Sequence, residues 1–247
     1  MCCGCRGQTA RLHLPKGCNV KPVEVPTVED AIEAVRVVCK RAPKPATLSN
    51  RLDFLQARDD RRLLGGDPGL LSASDIDHYI DECGGSLPHG ELAYFLPRIC
   101  TVLATGRPLL PAFGWDESFC FLRYSDFPDA WPDDRVAAMQ KFCAALLVSF
   151  LRNPEAFSSG RDDPAPNIGT MLCAMMRHGV DAQILLDAVD TCDEALVSRA
   201  LADWVECEGG DVTPDNVEPL FDHYWSMVAQ RSIVARWLTR RLDGAGG

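Results

Sequence analysis

The chain has 247 residues, of which 47% are hydrophobic and 24% charged, and its formal net charge is -10. This length corresponds to one large domain or two small ones, and the near-average composition excludes collagen-like, wholly disordered and membrane-spanning chains. Because a general nucleic-acid binder carries an excess of basic residues, the negative charge predicts no nucleic-acid partner.

The charge is distributed unevenly along the chain. Residues 1–62 contain 12 Lys+Arg and 7 Asp+Glu, residues 63–227 contain 9 and 27, and residues 228–247 contain 4 and 1. This pattern has two interpretations: the basic ends fold back onto the acidic middle, or the acidic middle attracts a basic partner at long range. The second interpretation predicts a protein partner with a basic surface.

The 12 cysteines do not form the compact framework of a small disulfide-rich secreted protein, because most of them are widely spaced. Residues 1–20 lack the apolar run of an export signal. The longest mostly apolar stretch, residues 142–151, is about half the length that a membrane-spanning helix needs. We therefore expect a cytoplasmic protein with reduced thiols and no transmembrane segment.

The chain divides into three parts by composition. Residues 1–26 form a predicted flexible arm rich in Cys, Pro and Gly. Residues 27–69 contain one helix, which begins with a capping-box pattern at Thr27 and Asp30 and ends before Pro43, followed by a basic linker segment. Residues 70–247 form the predicted main helical domain.

Helical patterns continue through the main domain. We expect Ser74 to cap a helix that ends at Gly84, and Pro97 to lie in the first turn of the next helix, where its missing amide costs nothing. Further helices are predicted over residues 115–124, 132–152, 167–177, 182–189, 193–207 and from Pro214 towards Leu242. The predicted class is all-α, an irregular multi-helix bundle or a short degenerate helical solenoid of roughly nine to eleven helices.

Three short motifs carry a resemblance. Residues 94–98 read Tyr-Phe-Leu-Pro-Arg, Trp131-Pro132 precedes a long helix, and Trp237-Leu238 lies near the end. In these motifs the chain resembles a family of uncharacterised bacterial helical proteins, over roughly residues 70–242. The sequence departs from that family at Cys100 and Thr101, where the helix is normally more aliphatic. The resemblance implies a helical fold and no particular chemistry.

A cluster of cysteines near the amino terminus is the most reactive-looking feature. Four thiols and an imidazole could form a tetrahedral zinc site, although adjacent cysteines do not match the usual ligand spacing. Acylation of Cys2 and Cys3 for membrane attachment is a second interpretation, and an exposed arm whose thiols do nothing specific is a third. The residues are Cys2, Cys3, Cys5, His13 and Cys18.

A second candidate is a set of polar side chains on one predicted helix. Asp77 with Asp81, and His78 with Glu82, are spaced four residues apart, so each pair shares a helix face. A carboxylate–histidine pair can ligate a metal or perform acid–base chemistry. The same residues, with Asp75, also suit the solvated side of an amphipathic helix.

Two further expectations concern Arg98 and the tryptophans. Arg98 follows the proline expected to open a helix, and because a guanidinium opposes the dipole there, we expect it to pair with a carboxylate or a ligand. The five tryptophans are predicted to be core or rim anchors, and any exposed subset would mark a partner surface. They are Trp115, Trp131, Trp204, Trp225 and Trp237.

No catalytic, cofactor-binding or metal-ligating residue is assigned, and no cofactor is expected, because signatures such as H-E-x-x-H, the phosphate-binding loop and G-x-S-x-G are absent. The terminal Gly246-Gly247 is interpreted as a frayed end. The favoured function is a non-enzymatic interaction module, such as an inhibitor or immunity-type binder of a basic protein. The alternative is a metal-assisted hydrolase in which His78 or His178 meets carboxylates from different helices.

Overall fold

The structure is a computed structural model that describes residues 24–49, 61–158, 165–208 and 212–243. Within these ranges the chain is all-α, as predicted, with no β-strand and one isolated bridge between Thr213 and Asn216. Residues 61–63 are also helical. The nine helices whose bounds fall in the described ranges are α1 (Val28–Cys39), α2 (Ala73–Asp81), α3 (His89–Ala104), α4 (Cys120–Tyr124), α5 (Asp133–Arg152), α6 (Ile168–Arg177), α7 (Ala182–Asp190), α8 (Glu194–Glu208) and α9 (Arg231–Asp243).

Helix α1 begins as the sequence predicts. The Thr27 hydroxyl accepts a hydrogen bond from the Asp30 amide at 3.1 Å, and the Thr27 hydroxyl donates to the Asp30 carboxylate at 2.8 Å. The apolar face of α1, which includes Ile32 and Val35, packs against α3 and α5. Leu63 and Leu64 are buried in the same core. The described part of residues 27–69 is therefore packed on the main helical body.

Helix α5 is the centre of the fold. Its predicted start after Pro132 and its predicted end at Asn153 are confirmed. It contacts α1 and α7 extensively and α6 and α8 less so, and nearly all the buried apolar side chains form one continuous core around it. This arrangement is an irregular bundle. None of the helices in the described ranges has the length and apolar character needed to cross a membrane.

Two predicted helix starts are wrong. Ser72, not Ser74, caps α2, and it forms a reciprocal capping box with Asp75. Helix α3 begins at His89, so Pro97 lies in its interior. The first turns of α3 bury Leu92 and Phe95, and α3 packs against α1 and α2. That tertiary burial offsets the hydrogen bond lost at the proline.

The predicted helices over residues 115–124 and from Pro214 onwards are also shorter than expected. Only Cys120–Tyr124 is α-helical in the first stretch, which follows a turn at Gly114, where φ is +62°. In the second stretch, short 3-10 turns cover Glu218–Leu220 and His223–Met227, and α9 begins at Arg231. Asp222 caps the start of the second of these turns, because its side chain accepts from the Tyr224 amide at 2.9 Å.

Candidate functional site

The cysteine cluster of the predicted amino-terminal arm lies outside the described residues, as does the terminal diglycine. No disulfide joins any two of the eight described cysteines, and six of them are buried in the helical body as predicted. Burial raises the pKa of Cys39 to about 11 and that of Cys120 to about 12. These buried thiols therefore stay protonated at neutral pH and act as small apolar side chains.

The acidic residues of α2 serve the fold individually. Burial alone would raise the pKa of Asp75, but hydrogen bonds from Ser72 and the Arg62 guanidinium, 3.2 Å away, hold it below its usual value. Asp77 pairs with Arg107 and also accepts from the Leu110 amide at 3.2 Å. Asp77 therefore holds the loop after α3 against α2.

The predicted metal-binding arrangement is not found in the part of the chain that the structure describes. There, no three His, Cys, Asp or Glu side chains are grouped closely enough to hold a metal ion. Asp81 is exposed at the end of α2, while Glu82 is half-buried beyond it. The described carboxylates of α2 therefore do not form a set of metal ligands of the kind that metal-assisted hydrolysis needs.

Among the described residues, Arg98 has no carboxylate partner of the kind expected. It lies in the middle of α3, because the helix begins at His89, and its Nε donates to the Leu71 carbonyl at 2.6 Å. It ties the chain that precedes α2 to α3, which is a structural role.

The tryptophans are core residues, as predicted, since all five are buried. Three of their indole N–H groups have partners: Trp115 donates to the Phe157 carbonyl, Trp131 to the Ser125 carbonyl and Trp237 to Asp190, all at 2.9–3.0 Å. Since none is exposed, they mark no partner surface.

A cluster of charged groups lies where several turns meet the end of α6. We call this region the turn face; it consists of residues 107–130, 176–179 and 222–230. At its centre Arg177 donates to the Glu117 carboxylate at 2.5 Å and to the Asp116 carbonyl at 2.8 Å. The Arg177 guanidinium also lies 5.5 Å from the ring centre of Tyr224. One buried arginine thereby joins both turn segments to α6.

His178 is the most unusual group of the turn face. Its side chain is fully buried, and neither ring nitrogen makes a hydrogen bond to a described residue, although Nε2 lies 3.9 Å from the Glu117 carboxylate. Burial lowers the pKa of His178 to about 3, and the Arg177 and Arg123 guanidiniums act in the same direction. The imidazole is therefore neutral at physiological pH. Glu117 is the carboxylate that approaches it, and Glu117 lies in a turn rather than on a helix.

Three carboxylates from separate segments interact electrostatically: Asp116 and Asp222 on the turn face, and Glu208 at the end of α8. Burial raises the pKa of Asp116, and Asp222 raises it further, against the lowering effect of Arg177. Partial burial and the Asp222 carboxylate likewise raise the pKa of Glu208. We call Asp116, Glu208 and Asp222 the acidic triad. Asp222 repels both of the other carboxylates in the folded protein.

Two cavities flank Arg123 on the turn face. One, of about 260 Å³, lies against Leu110, Phe113 and Tyr124, and the other, of about 380 Å³, lies against Met176, Gly179 and Met227. Large apolar side chains are exposed here: Phe113 is 59% exposed, Tyr224 36% and Met227 56%. Charged groups, cavities and exposed apolar groups thus share one region.

Sequence reasoning named His178 as a candidate and missed the other members of this region. Glu117, Arg123 and Asp222 lie in or beside turns, where no periodic pattern relates them. The sequence signal closest to this region is the pair of basic residues followed by glycine at residues 177–179. Such a pattern indicates the end of a helix, here α6, and does not indicate a functional site.

The comparisons with known proteins returned no match: no protein-family model, curated protein or solved structure matches the chain. The resemblance of residues 70–242 to the Phe-Leu-Pro-Arg helical family stays a prediction, and the geometry of the turn face is the basis for a function.

Proposed function

We propose that this protein is a non-enzymatic interaction module that binds a protein partner carrying a basic surface. The observation that carries the proposal is the acidic triad, in which the negative charge of Asp222 acts on both Asp116 and Glu208. Like charges held together destabilise a free protein, and a cationic partner converts that repulsion into attraction. An inhibitor or immunity-type binder of a basic protein is the specific version of this function.

The surroundings of the triad support a protein partner rather than a small cation. The exposed Tyr224 and Met227 follow Asp222 closely in the chain, and aromatic residues and methionine are enriched at protein interfaces. Among the described residues the triad carboxylates do not form a metal-binding group. The negative charge also disfavours nucleic acid.

We further infer a cytoplasmic location, because no disulfide joins any two of the eight described cysteines and cytosolic reductants keep thiols reduced. Mass-spectrometric mapping of thiols alkylated in intact cells tests this inference. Full alkylation of the exposed Cys207 supports it, and a blocked, disulfide-bonded Cys207 contradicts it.

The functional test begins with affinity capture at low salt, identification of the partner by mass spectrometry and reconstitution from purified components. We expect the Kd to increase at least tenfold when the salt concentration is raised from about 50 to about 300 mM. The reason is that salt screens the attraction between the two charged surfaces, with a Debye length of about 10 Å at 0.1 M. At low salt, the triple variant Asp116→Asn, Glu208→Gln, Asp222→Asn should bind the partner more weakly than the parent protein by a similar factor.

A matched control removes three charges elsewhere. Glu24, Glu155 and Asp243 are exposed or half-exposed carboxylates outside the turn face, so Glu24→Gln, Glu155→Gln, Asp243→Asn changes the net charge equally. We expect this control to bind almost as the parent protein does. Equal losses in both triple variants, or a salt-independent Kd, would overturn the role of the triad.

A further inference from the structure

We propose that the 260 Å³ cavity on the turn face receives one arginine side chain of the partner, held between Phe113 and the Asp81 carboxylate. The inference rests on the proposed function, since it names the anchor that a basic partner would insert. The cavity is lined by Ile80, Asp81, Gly85, Leu110, Phe113, Glu117, Arg123 and Tyr124.

The size and walls of the cavity suit a single long side chain. Pockets that enclose whole drug-sized ligands measure roughly 300–1,000 Å³, and this cavity, at about 260 Å³, lies just below that range. Its apolar walls come from Ile80, Leu110 and two aromatic rings, of which Phe113 is 59% exposed. Such walls cover the aliphatic stem of an arginine, whose guanidinium remains free for polar contacts.

The charges of the cavity leave one carboxylate available. Glu117 is already occupied, because Arg177 donates to it at 2.5 Å and Arg123 lies 3.8 Å from its other oxygen. Asp81, by contrast, forms no salt bridge with any residue in the described ranges and is exposed. A guanidinium from outside therefore meets one carboxylate with no salt bridge to a described residue, while Arg123, the cation of the lining, faces Glu117.

The loop that builds the cavity is held in a strained conformation. Leu110 has φ of +51°, a left-handed backbone that non-glycine residues rarely adopt. Asp77 holds it there by accepting from the Leu110 amide and pairing with Arg107. This strain places Leu110 and Phe113 in the cavity wall, as functional loops commonly require.

The aromatic wall favours arginine over lysine. A planar guanidinium stacks on aromatic faces and binds a carboxylate through two parallel hydrogen bonds, whereas an ammonium is a compact, strongly hydrated charge. The protein already shows this type of contact, since the Arg123 guanidinium lies 5.3 Å from the ring centre of Tyr124. Phe113 offers the same interaction to a guanidinium of the partner.

The test is titration of the ¹⁵N-labelled full-length protein with Nα-acetyl-arginine methylamide, followed by NMR. We expect saturable shifts centred on the amides of Asp81, Phe113 and Tyr124. The citrulline analogue has nearly the same shape without the charge and should produce shifts at least tenfold smaller at equal concentration. The lysine analogue should bind at least threefold more weakly than the arginine analogue.

Matched variants locate the site. Asp81→Asn and Phe113→Ser should each weaken binding of the arginine analogue at least fivefold. Asp129→Asn removes an exposed carboxylate of the neighbouring 380 Å³ cavity, and Leu70→Ser removes an apolar side chain that is 85% exposed and lines neither cavity. Both controls should bind as the parent does, and all four spectra report directly whether the variants remain folded.

The outcomes separate this inference from the proposed function. Shifts confined to the acidic triad, equal binding of citrulline, or equal binding of lysine would overturn the arginine cavity and leave the basic partner standing. Conversely, the cavity could bind the arginine analogue while the partner binds independently of salt and of the triad. That result would support the arginine cavity and reject the proposed function.

Discussion

The helical core around α5 and the turn face are built on different principles. The core packs apolar side chains from regular helices, and even its thiols are buried as apolar groups. The turn face combines a left-handed Leu110, three exposed large apolar side chains and the buried side chains of Arg177 and His178, which carry nitrogens with no hydrogen-bond partner among the described residues. Irregular segments can bring together side chains that regular helices keep apart, and binding groups are therefore often found on them.

The same substitution in the two regions should give the largest contrast. Phe95 is fully buried on α3, with its ring 4.3 Å from that of Tyr79, and Phe95→Ala should lower the free energy of unfolding by about 3–5 kcal/mol. Phe113→Ala on the turn face should change it by no more than about 0.5 kcal/mol. Urea denaturation measures both. Similar losses at the two positions would show that Phe113 belongs to the core.

A pair of glycines sharpens the contrast between close packing and open surface. A Cβ on Gly169 in α6 would lie 2.1 Å from Cε2 of Trp204, whereas one on Gly90 in α3 would meet nothing within 4 Å. Gly169→Ala should therefore destabilise by about 3 kcal/mol. Gly90→Ala should be neutral or stabilise by up to about 1 kcal/mol, because alanine favours helix. Thermal unfolding measures whether each variant is more or less stable than the parent protein. A Gly169→Ala variant as stable as the parent would contradict tight packing of α6 on α8.

His178 makes the stability of the turn face dependent on pH. Burial lowers its pKa from the ordinary value of 6.5 to about 3 in the folded protein, so the unfolded chain binds more protons below pH 6.5. Stability is then lost at about 1.4 kcal/mol per pH unit as the pH falls from 6.5 towards 3. Between about pH 7 and pH 5 we expect a loss of about 2 kcal/mol that is absent in His178→Gln.

The control for this effect is His223→Gln, since His223 is exposed beside Asp222. This variant should keep the pH dependence of the parent. The raised pKa values of Asp116 and Glu208 act in the opposite direction. These carboxyls bind protons more readily in the folded protein than in the unfolded chain, so acidification stabilises the folded protein through them. Their contribution is common to the parent and to His178→Gln, so it cancels in that comparison. A slope unchanged by His178→Gln would refute the low pKa.

The smallest expected effect has the opposite sign. Asp222→Asn retains an oxygen to accept from the Tyr224 amide but removes repulsion with Asp116 and Glu208, so the free protein should gain about a few tenths of a kcal/mol. Asp190→Asn should instead lower the free energy of unfolding by up to about 1 kcal/mol, because Asp190 forms a salt bridge with Arg241. Differential scanning calorimetry compares the two. A destabilising Asp222→Asn would give the triad a structural role.

The predictability of the chain follows the same division. The ends of α1 and α5 were predictable because Thr27, Asp30, Pro132 and Asn153 act on the residues next to them. The start of α3 was not, because burial of Leu92 and Phe95 against other helices outweighs the local preference of Pro97. Local signals fail where distant contacts decide the free energy.

The candidate site shows the limit more sharply. Sequence reasoning singled out His178 as one of two histidines, but it assigned the polar face of α2 to solvent or metal without its contact to Leu110. Glu117 and Arg177 are 60 residues apart in the chain, and Asp77 and Leu110 are 33 apart. No spacing rule connects such pairs, since their distance depends on how the helices between them pack.

The sequence by itself determined the helical class, the bounds of the long helix α5, the placing of the tryptophans as anchors of the core and the net charge of -10. These properties depend on composition and on periodicity over a few turns of helix. Only the tertiary structure decided where the acidic excess lies, which carboxylates have partners and which exposed side chains adjoin them. The reason is physical: burial, repulsion and cavity shape depend on distances between segments, and those distances exist only after the helices have packed.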